Sequence, residues 1–417
     1  MGSKDVSVGT QNISLGTIAL ANNTSVATNY SLTSGTLNIT QKQVNLSGTK
    51  VYDSSTTLNN SIISISSGLV GSETLGLTGD VVTNSDNVGT YLASANQLNS
   101  GSTTISLADG SNGGLSNNYT INEKTITITK RPITISGTKV YDGTKAVDAG
   151  SITTFNNTVG GQTLTISGNT TFLESQSVGS SKTITVSGLT LGDGTGAASN
   201  YSLSSGTFDV TSRSVTLTTT RIYDNTKDVN ASNISVTFNN LVGSETLVLS
   251  NSGTIANKNV GVDKTVTVGS LSLGNGSNGG LGSNYTLSGG THTLSVTKRP
   301  VTISGTRGYD GTVTVSNSNI NALNNRAGGE TLSLTGSGSI GSAAVGSGKS
   351  ITLGSLALAD NSGSASNYSL VGGTLTMTIL PRSTSVTGSR SYDGSVTITP
   401  SDLTTFSNLA GSDSLSF

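Results

Sequence analysis

The 417-residue chain has no cysteine and no tryptophan, a single histidine and four prolines. Without cysteine there are no disulfides, no thiolate metal sites and no thiol catalysis. That leaves either a cytosolic protein or a large exported bacterial surface protein that folds without oxidation. The lone histidine, His292, lies among threonines on a predicted strand. It reads as a surface residue. No Ser-His-Asp set, phosphate loop or carboxylate pair emerges, so nothing points to an enzyme. Charged residues make up 10% of the chain, with a net charge of −1. They are scattered, with no basic stripe, so nucleic acid and anionic membrane are poor partners. No apolar run approaches the length of a membrane span. No signal peptide is present, and Met1-Gly2-Ser3-Lys4 reads as an added start. Apolar residues are only 32% of the chain and aromatics 4%, so any folded unit must be small or slender. Disorder is the bland alternative for so polar a chain. The low net charge, the scarcity of proline and the regular alternation of apolar residues argue against it.

What the chain does have is a repeat. The clearest pair is Lys130–Thr144, KRPITISGTKVYDGT, and Lys298–Thr312, KRPVTISGTRGYDGT. Four landmarks recur. The first is Tyr-Asp-Gly or a variant, at Tyr52-Asp53-Ser54, Tyr141-Asp142-Gly143, Tyr223-Asp224-Asn225, Tyr309-Asp310-Gly311 and Tyr392-Asp393-Gly394, in steps of 89, 82, 86 and 83 residues. The second is Gly-x-Glu-Thr-Leu, at Gly71–Leu75, Gly160–Leu164, Gly243–Leu247, Gly328–Leu332 and Gly411–Leu415, with Gln162 and Asp413 replacing the glutamate. The third is a Val-Gly pair, at Val8-Gly9, Val88-Gly89, Val178-Gly179, Val260-Gly261 and Val345-Gly346. The fourth is Asn-Tyr, ending at Tyr30, Tyr119, Tyr201, Tyr285 and Tyr368, always 22 or 24 residues before the next Tyr-Asp. Spacing this regular implies one fold per copy.

Between landmarks, apolar residues alternate with Thr or Ser, as at Ile126 and Ile128, Leu164 and Ile166, Ile184 and Val186, and Val266 and Val268. Period two is the mark of a half-buried strand. No 3.6-residue period is sustained, and glycine is too frequent for helices. The chain is therefore expected to be all-β. Across Arg131-Pro132 the apolar residues change phase, from Ile126 and Ile128 to Ile133 and Ile135; Arg299-Pro300 repeats this between Val296 and Val301. A phase change means that the buried face changes. Proline cannot donate to a ladder and suits a strand start or edge. Pro132 and Pro300 thus mark joints between modules, with Lys42, Arg213 and Pro381-Arg382 at the same place elsewhere.

This frame gives repeats at 43–130, 131–213, 214–298 and 299–382, with half repeats at 1–42 and 383–417. An alternative frame holds five near-complete repeats of about 83 residues starting near residue 5. The expected architecture is a string of small β-sandwich-like modules of about seven strands each. A continuous β-solenoid is the alternative, but no clear sub-period of 20–25 residues supports it.

The candidate sites read mostly as architecture. Asp53, Asp142, Asp224, Asp310 and Asp393 could hold a ligand or metal. Asp followed by Gly143, Gly311 or Gly394 is, however, turn chemistry, with Asp bonding the backbone two residues on and Gly taking positive φ. The Asn-Tyr tyrosines read as buried rings whose hydroxyls hold a neighbouring loop. Loops at Asp109 and Asp193, with Asn22, Asn275 and Asp360 in equivalent places, resemble calcium loops faintly, but a calcium site wants several carboxylates. Glu73, Glu245 and Glu330 alternate with Gln162 and Asp413, which a catalytic acid would not accept; an exposed turn or a local lysine pair would. No cofactor is called for, calcium being the alternative. Asn-x-Ser/Thr triplets such as Asn38-Ile39-Thr40 are expected by chance in such a composition.

Three features carry a resemblance: Tyr-Asp-Gly after a Thr-Ile-Ser-Gly-Thr strand, Val-Gly before Lys-Thr-Ile-Thr-Val, and Leu-Gly-Asp-Gly followed by Ser-Asn-Tyr-Ser-Leu. Together they resemble YDG-type repeats, relatives of the mostly-β glycine-rich repeats, over essentially the whole chain. Such repeats occur in tandem in large bacterial surface adhesins of the filamentous haemagglutinin-like, two-partner-secreted kind. The resemblance implies an extracellular stalk or spacer without catalysis, projecting an adhesive part for surface or biofilm attachment. Its partners would be neighbouring repeats or like chains. Host or matrix glycans and proteins would be gripped by parts not in this chain. Two other functions fit the residues: a binding module for glycan or calcium in each repeat, and a fibre assembling head to tail by strand addition.

Overall fold

The computed structural model describes residues 3–6, 10–168, 171–371 and 373–417; the Val8-Gly9 landmark lies outside them. The described residues form strands, turns and three-residue 3-10 turns, with no α-helix among them. The chain divides into two compact units, one of Met1–Val140 and Thr144–Thr211, the other of Tyr141–Gly143 and Ser212–Phe417.

Repeat 43–130 shows how a module is built. Its strands are β1 (Lys42–Val51), β2 (Thr57–Asn59), β3 (Ile63–Ser67), β4 (Leu75–Thr78), β5 (Asp80–Val82), β6 (Gly89–Leu92), β7 (Ser106–Asp109) and β8 (Tyr119–Thr129). The main sheet has the order β3-β1-β8-β6, while β2 pairs with β5 and β4 with β7. Alternation on the long strands does the sorting. Val44 and Leu46 on β1 and Ile126 and Ile128 on β8 are buried, and their Thr and Ser neighbours are more exposed. Leu46, Leu58, Ile63, Val81, Leu98, Ile105 and Ile126 form the core between the main sheet and the β2–β5 layer.

Repeat 131–213 keeps this order, with Ile152–Asn156, Arg131–Val140, Tyr201–Thr211 and Gly179–Ile184 side by side. In repeats 214–298 and 299–382 the short outer pair joins the main sheet, giving six strands. Among the described residues every sheet takes its strands from a single repeat, save that the boundary residues Lys42 and Arg213 open the first strand of the repeat that follows them. The array is therefore one of tandem β modules, not a solenoid, in which coils would pair with their neighbours.

The modules differ from an antiparallel sandwich in one respect. The first and last strands of a repeat lie side by side and parallel, Val44 opposite Ile121 and Gly48 opposite Ile126, with a bulge between Ile121 and Glu123. Repeat 131–213 does the same, with a break in register between Ile133 and Thr134. A parallel first and last strand brings the chain in at one end of the sheet and out at the other. Ten residues of Arg131–Val140 cover about 33 Å at ~3.3 Å per residue. Only Lys130 separates β8 from the next first strand. The buried positions change parity there, from Ile126 and Ile128 to Ile133 and Ile135.

Candidate functional site at the repeat joints

The four landmarks do not lie apart in one module. They converge where two modules meet, two landmarks from each. In the first unit, Tyr52 follows β1 and its N–H donates to Thr129 O at 2.9 Å, which fixes the ring at the end of the sheet. The ring of Tyr201, from the following repeat, meets it edge to face, with centroids 5.4 Å apart. Gln162 stands between the two hydroxyls. Tyr201 donates to Gln162 Oε1 at 2.6 Å, and Gln162 Nε2 donates to the Tyr52 hydroxyl at 3.1 Å. Val159 N–H donates to the Tyr201 hydroxyl at 3.1 Å, tying the loop before Gln162 to the ring. The Asn200 side chain reaches back, accepting from Val88 N–H and donating to Asn87 Oδ1, both at 2.8 Å. Tyr52, Ile128, Ile133, Leu164 and Tyr201 pack as a small core of their own.

The second unit holds the same device with a carboxylate. Tyr223 and Tyr368 meet edge to face at 5.4 Å. Tyr223 donates to Glu330 Oε1 at 2.9 Å and Tyr368 to Glu330 Oε2 at 2.5 Å. Ala327 N–H donates to the Tyr368 hydroxyl, and Val260 N–H to Asn367 Oδ1. Lys258 Nζ lies 3.5 Å from Glu330 Oε1. Tyr141 and Tyr285 flank Glu245 in the same way, with hydrogen bonds of 2.7 and 2.6 Å. Burial, and then the bond to Glu245, pushes the Tyr285 phenol from 10.0 up to about 12. Burial and then the Glu330 bond raise Tyr223 and Tyr368 as well. Glu330 is only 9% exposed. The recurrent acid is thus a joint residue, not the exposed turn suggested by its exchange with Gln and Asp. Gln and Asp are tolerated because each still offers an acceptor oxygen to the tyrosine hydroxyls.

An arginine clamp closes each joint. Arg131 Nε donates to Asn157 O at 2.7 Å, Nη2 to Asn157 Oδ1 at 2.6 Å, and Nη1 to Tyr52 O at 3.3 Å. Asn157 returns a bond from Nδ2 to Pro132 O at 2.8 Å. Arg213 with Asn240, Arg299 with Asn325 and Arg382 with Asn408 repeat the pattern. These asparagines have φ between 62° and 72°, a region that Asn tolerates better than other non-glycine residues. Where Lys42 replaces the arginine, Gly68 takes the positive φ at 102°. Sequence reasoning passed over these asparagines. Their signal was the near-constant offset from each joint arginine, 26 residues in three repeats and 27 from Arg213 to Asn240.

Internal controls come from landmark tyrosines whose partners this sequence does not hold. Tyr392 is 97% exposed and Tyr30 64%, against 0% for Tyr223. Beside Glu73 and Tyr119, which have no preceding Tyr-Asp tyrosine here, a cleft of about 290 Å³ is lined by Val70, Asn118 and Lys4. There the Val6 N–H donates to Asn118 Oδ1 at 2.7 Å. Tyr309 has the half repeat after it and bonds Asp413, which raises its phenol.

The aspartates of the first landmark are occupied by the chain's own cations. Asp310 Oδ1 accepts from Thr312 N–H at 2.9 Å, and Gly311 has φ 75°. Asp53, Asp224 and Asp393 accept equivalently from Ser55, Thr226 and Ser395. A basic residue two positions before each tyrosine then fills the turn. Lys50 lies 2.7 Å from Asp53 and 2.5 Å from Ser55 O. Arg307 lies 2.7 Å from Asp310 and 2.7 Å from Thr314 O. Lys139 bonds Thr144 O and Ala146 O next to Asp142-Gly143. The carboxylate and carbonyl oxygens that a metal ion would want hold an ammonium or guanidinium instead. Burial works against ionised Asp310, but the bonds from Thr312 and the Arg307 charge hold its carboxyl below the usual value. The calcium-like loops are also occupied. Asp109, Asp193 and Asp360 accept the N–H of Ser116, Ala198 and Ala365, and Asn275 does the same for Gly282. An uncharged Asn fills this role as well as Asp, as expected for a cap on the 3-10 turn that delivers Asn-Tyr. Among the described residues no group of three or more His, Asp or Glu is placed to hold a metal ion.

His292 is buried, at 4% exposure. Its Nδ1 accepts from Leu217 N–H at 3.2 Å, and Nε2 faces Leu287 O at 2.8 Å. Both ring nitrogens are satisfied within its own module, which corrects the surface reading. Among the described residues no helix is long and apolar enough to cross a membrane.

No curated protein matches the chain. A family model described as the YDG domain matches residues 122–208, 209–294 and 292–378. The landmarks outside those ranges, at Tyr52, Glu73, Tyr119 and Tyr392, follow the same pattern. More than half of the chain is covered, and the protein belongs to the YDG domain family, as a tandem array of these domains.

Proposed function

We propose that this chain is a stalk or spacer region of a large secreted bacterial surface adhesin of the filamentous haemagglutinin-like kind. It holds an adhesive part away from the cell during attachment to surfaces or in biofilm, and it turns over no substrate. One observation supports this reading above the others: the four landmarks that define the repeat are spent on the contact between consecutive repeats. A module built to grip a ligand would present its recurrent side chains to solvent. Here Tyr52, Gln162 and Tyr201, or Tyr223, Glu330 and Tyr368, are turned on one another. The parallel first and last strands support it further, because each module passes the chain from one end to the other.

The test is a set of surface-displayed adhesins in which one or more whole repeats are deleted. Attachment should decline with the number of repeats removed, whichever they are. If deleting one particular repeat abolished attachment while deleting any other did nothing, a binding module would replace the spacer.

A further inference from the structure

One joint differs from the rest in two residues, and from the joint of the first unit in a third. Asn225 stands where the other Tyr-Asp turns carry Gly143, Gly311, Gly394 or Ser54. Lys258 stands two residues before its Val-Gly pair, where Asp86, Gln176 and Ala343 stand before theirs. Glu330 supplies a carboxylate where the joint of the first unit has Gln162. The fold brings the three together. Asn225, at φ 69°, directs its amide to the joint, and Lys258 Nζ contacts Asn225 Oδ1. Glu330 Oε1 is 3.5 Å from the same nitrogen. The Tyr223 hydroxyl lies 3.2 Å from Asn225 Oδ1 and 2.9 Å from Glu330 Oε1. Glu330 and Tyr223 are both buried.

These are the parts that amide transfer between side chains needs. There is an amine, an amide carbonyl, a water-poor carboxylate touching the amine to move protons, and a hydroxyl placed at the carbonyl oxygen. Held in contact, the two reactants no longer meet by diffusion, and proximity of this kind removes much of a barrier. We propose that Lys258 and Asn225 become joined by an intramolecular isopeptide bond, with Glu330 as the proton-transferring catalytic residue.

The Glu330 carboxylate takes a proton from the Lys258 ammonium. The freed Nζ attacks Asn225 Cγ, and the Tyr223 hydroxyl donates to the Oδ1 that gains charge. The Cγ–Nδ2 bond then breaks. The two protons lost by the amine pass through Glu330 to the departing nitrogen, which leaves as ammonium. One C–N bond forms and one breaks, and neither oxidant nor water is consumed. The acceptor and the amine belong to repeat 214–298, whereas Glu330 belongs to the next repeat. The bond therefore forms only after that joint has docked. It then fastens the Tyr-Asp-Asn turn to the segment before Val260, the two pieces that repeat 214–298 offers to its neighbour.

The test is the intact mass of the full chain after folding and incubation at neutral pH, followed by a tryptic map. The expected mass is lower than the sequence mass by one ammonia. Trypsin should fail to cut after Lys258, and a branched peptide should join the segments holding Asn225 and Lys258. Lys258→Arg and Asn225→Gly should each restore the sequence mass. Asn225→Asp should lose one water in place of ammonia. Glu330→Gln, which copies the joint at Gln162, should keep the fold by circular dichroism and the full sequence mass. A wild-type chain at full sequence mass, cut normally after Lys258, would overturn the bond. A Glu330→Gln chain that lost ammonia as fast as wild type would overturn the role of Glu330.

Discussion

The joint at Gln162 and the joint at Glu330 have the same geometry and a different charge. Both stack two tyrosines edge to face at 5.4 Å and set one side chain between their hydroxyls. At Glu330 both hydroxyls donate to a carboxylate, and Lys258 stands 3.5 Å away. At Gln162 the amide both donates and accepts, and the residue in the place of Lys258 is Asp86. The joint therefore needs a hydrogen-bonding planar group more than it needs a charge. At Glu330 a cation accompanies the carboxylate; at Gln162, where the neighbouring position is acidic, an amide stands in its place. A buried carboxylate without compensation is costly, so the two positions are read together.

The comparison can be broken first by removing a ring. Tyr223→Ala should cost about 3–5 kcal/mol, the range for a large buried aromatic truncated to alanine, and Tyr201→Ala about the same. Calorimetry of the full chain should show each change in the unit that carries it. Equal loss in both units from one substitution would deny that the joints are local. Next, Gln162→Glu should destabilise by ~1–3 kcal/mol, since it buries a charge in a joint whose companion residue is acidic. Glu330→Gln should cost ~1 kcal/mol or less, because the Gln162 joint already shows that an amide fits. The reverse order would mean that the carboxylate itself is required.

Alkali tests the same tyrosines without mutation. In the unfolded chain the Tyr285 phenol ionises near 10.0, and in the folded joint only at about 12. The unfolded state releases its proton first. The stabilisation is thus complete below pH 10 and is lost as the pH rises through about 12. Melting temperature should hold level up to pH 10 and then fall, while absorbance reports late phenolate formation. A flat melting curve through pH 12 would show that the buried hydroxyls contribute nothing. A similarly small effect is expected at the clamp. Asn157→Gly keeps the positive φ but removes the side-chain bonds to Arg131 and Pro132, for about 1 kcal/mol. The Lys42–Gly68 pair, which lacks these bonds by nature, should be insensitive to Lys42→Arg.

Much of the module could be read from residue types. Alternation of Ile and Val with Thr places Ile126, Ile128, Ile133 and Ile135 on strands, and the change of phase at Arg131-Pro132 corresponds to a change of buried face. What spacing could not convey is which residues meet across a repeat boundary. Tyr52 and Gln162 lie in different copies, so a period that places them in register gives no sign that they touch. Glu330 looked exposed because its replacement by Gln and Asp resembles surface tolerance, when the common property is an acceptor oxygen. His292 looked exposed because its partners, Leu217 N–H and Leu287 O, are backbone groups with no signature in sequence. Parallel pairing of the first and last strands left no trace in the alternation either, since period two is the same in both directions.

The central claim is that the recurrent tyrosines are buried by the neighbouring repeat and not by their own. It is tested most directly by chemical nitration of tyrosines in the full chain, mapped by mass spectrometry, before and after Tyr368→Ala. In the unaltered chain Tyr392 and Tyr30 should react quickly, and Tyr223 and Tyr201 should be protected. With Tyr368 removed, Tyr223 in the preceding repeat should become reactive while Tyr201 in the other unit stays protected. If Tyr223 kept its full protection without Tyr368, its burial would come from its own module, and the landmarks would not be the means by which repeats are joined.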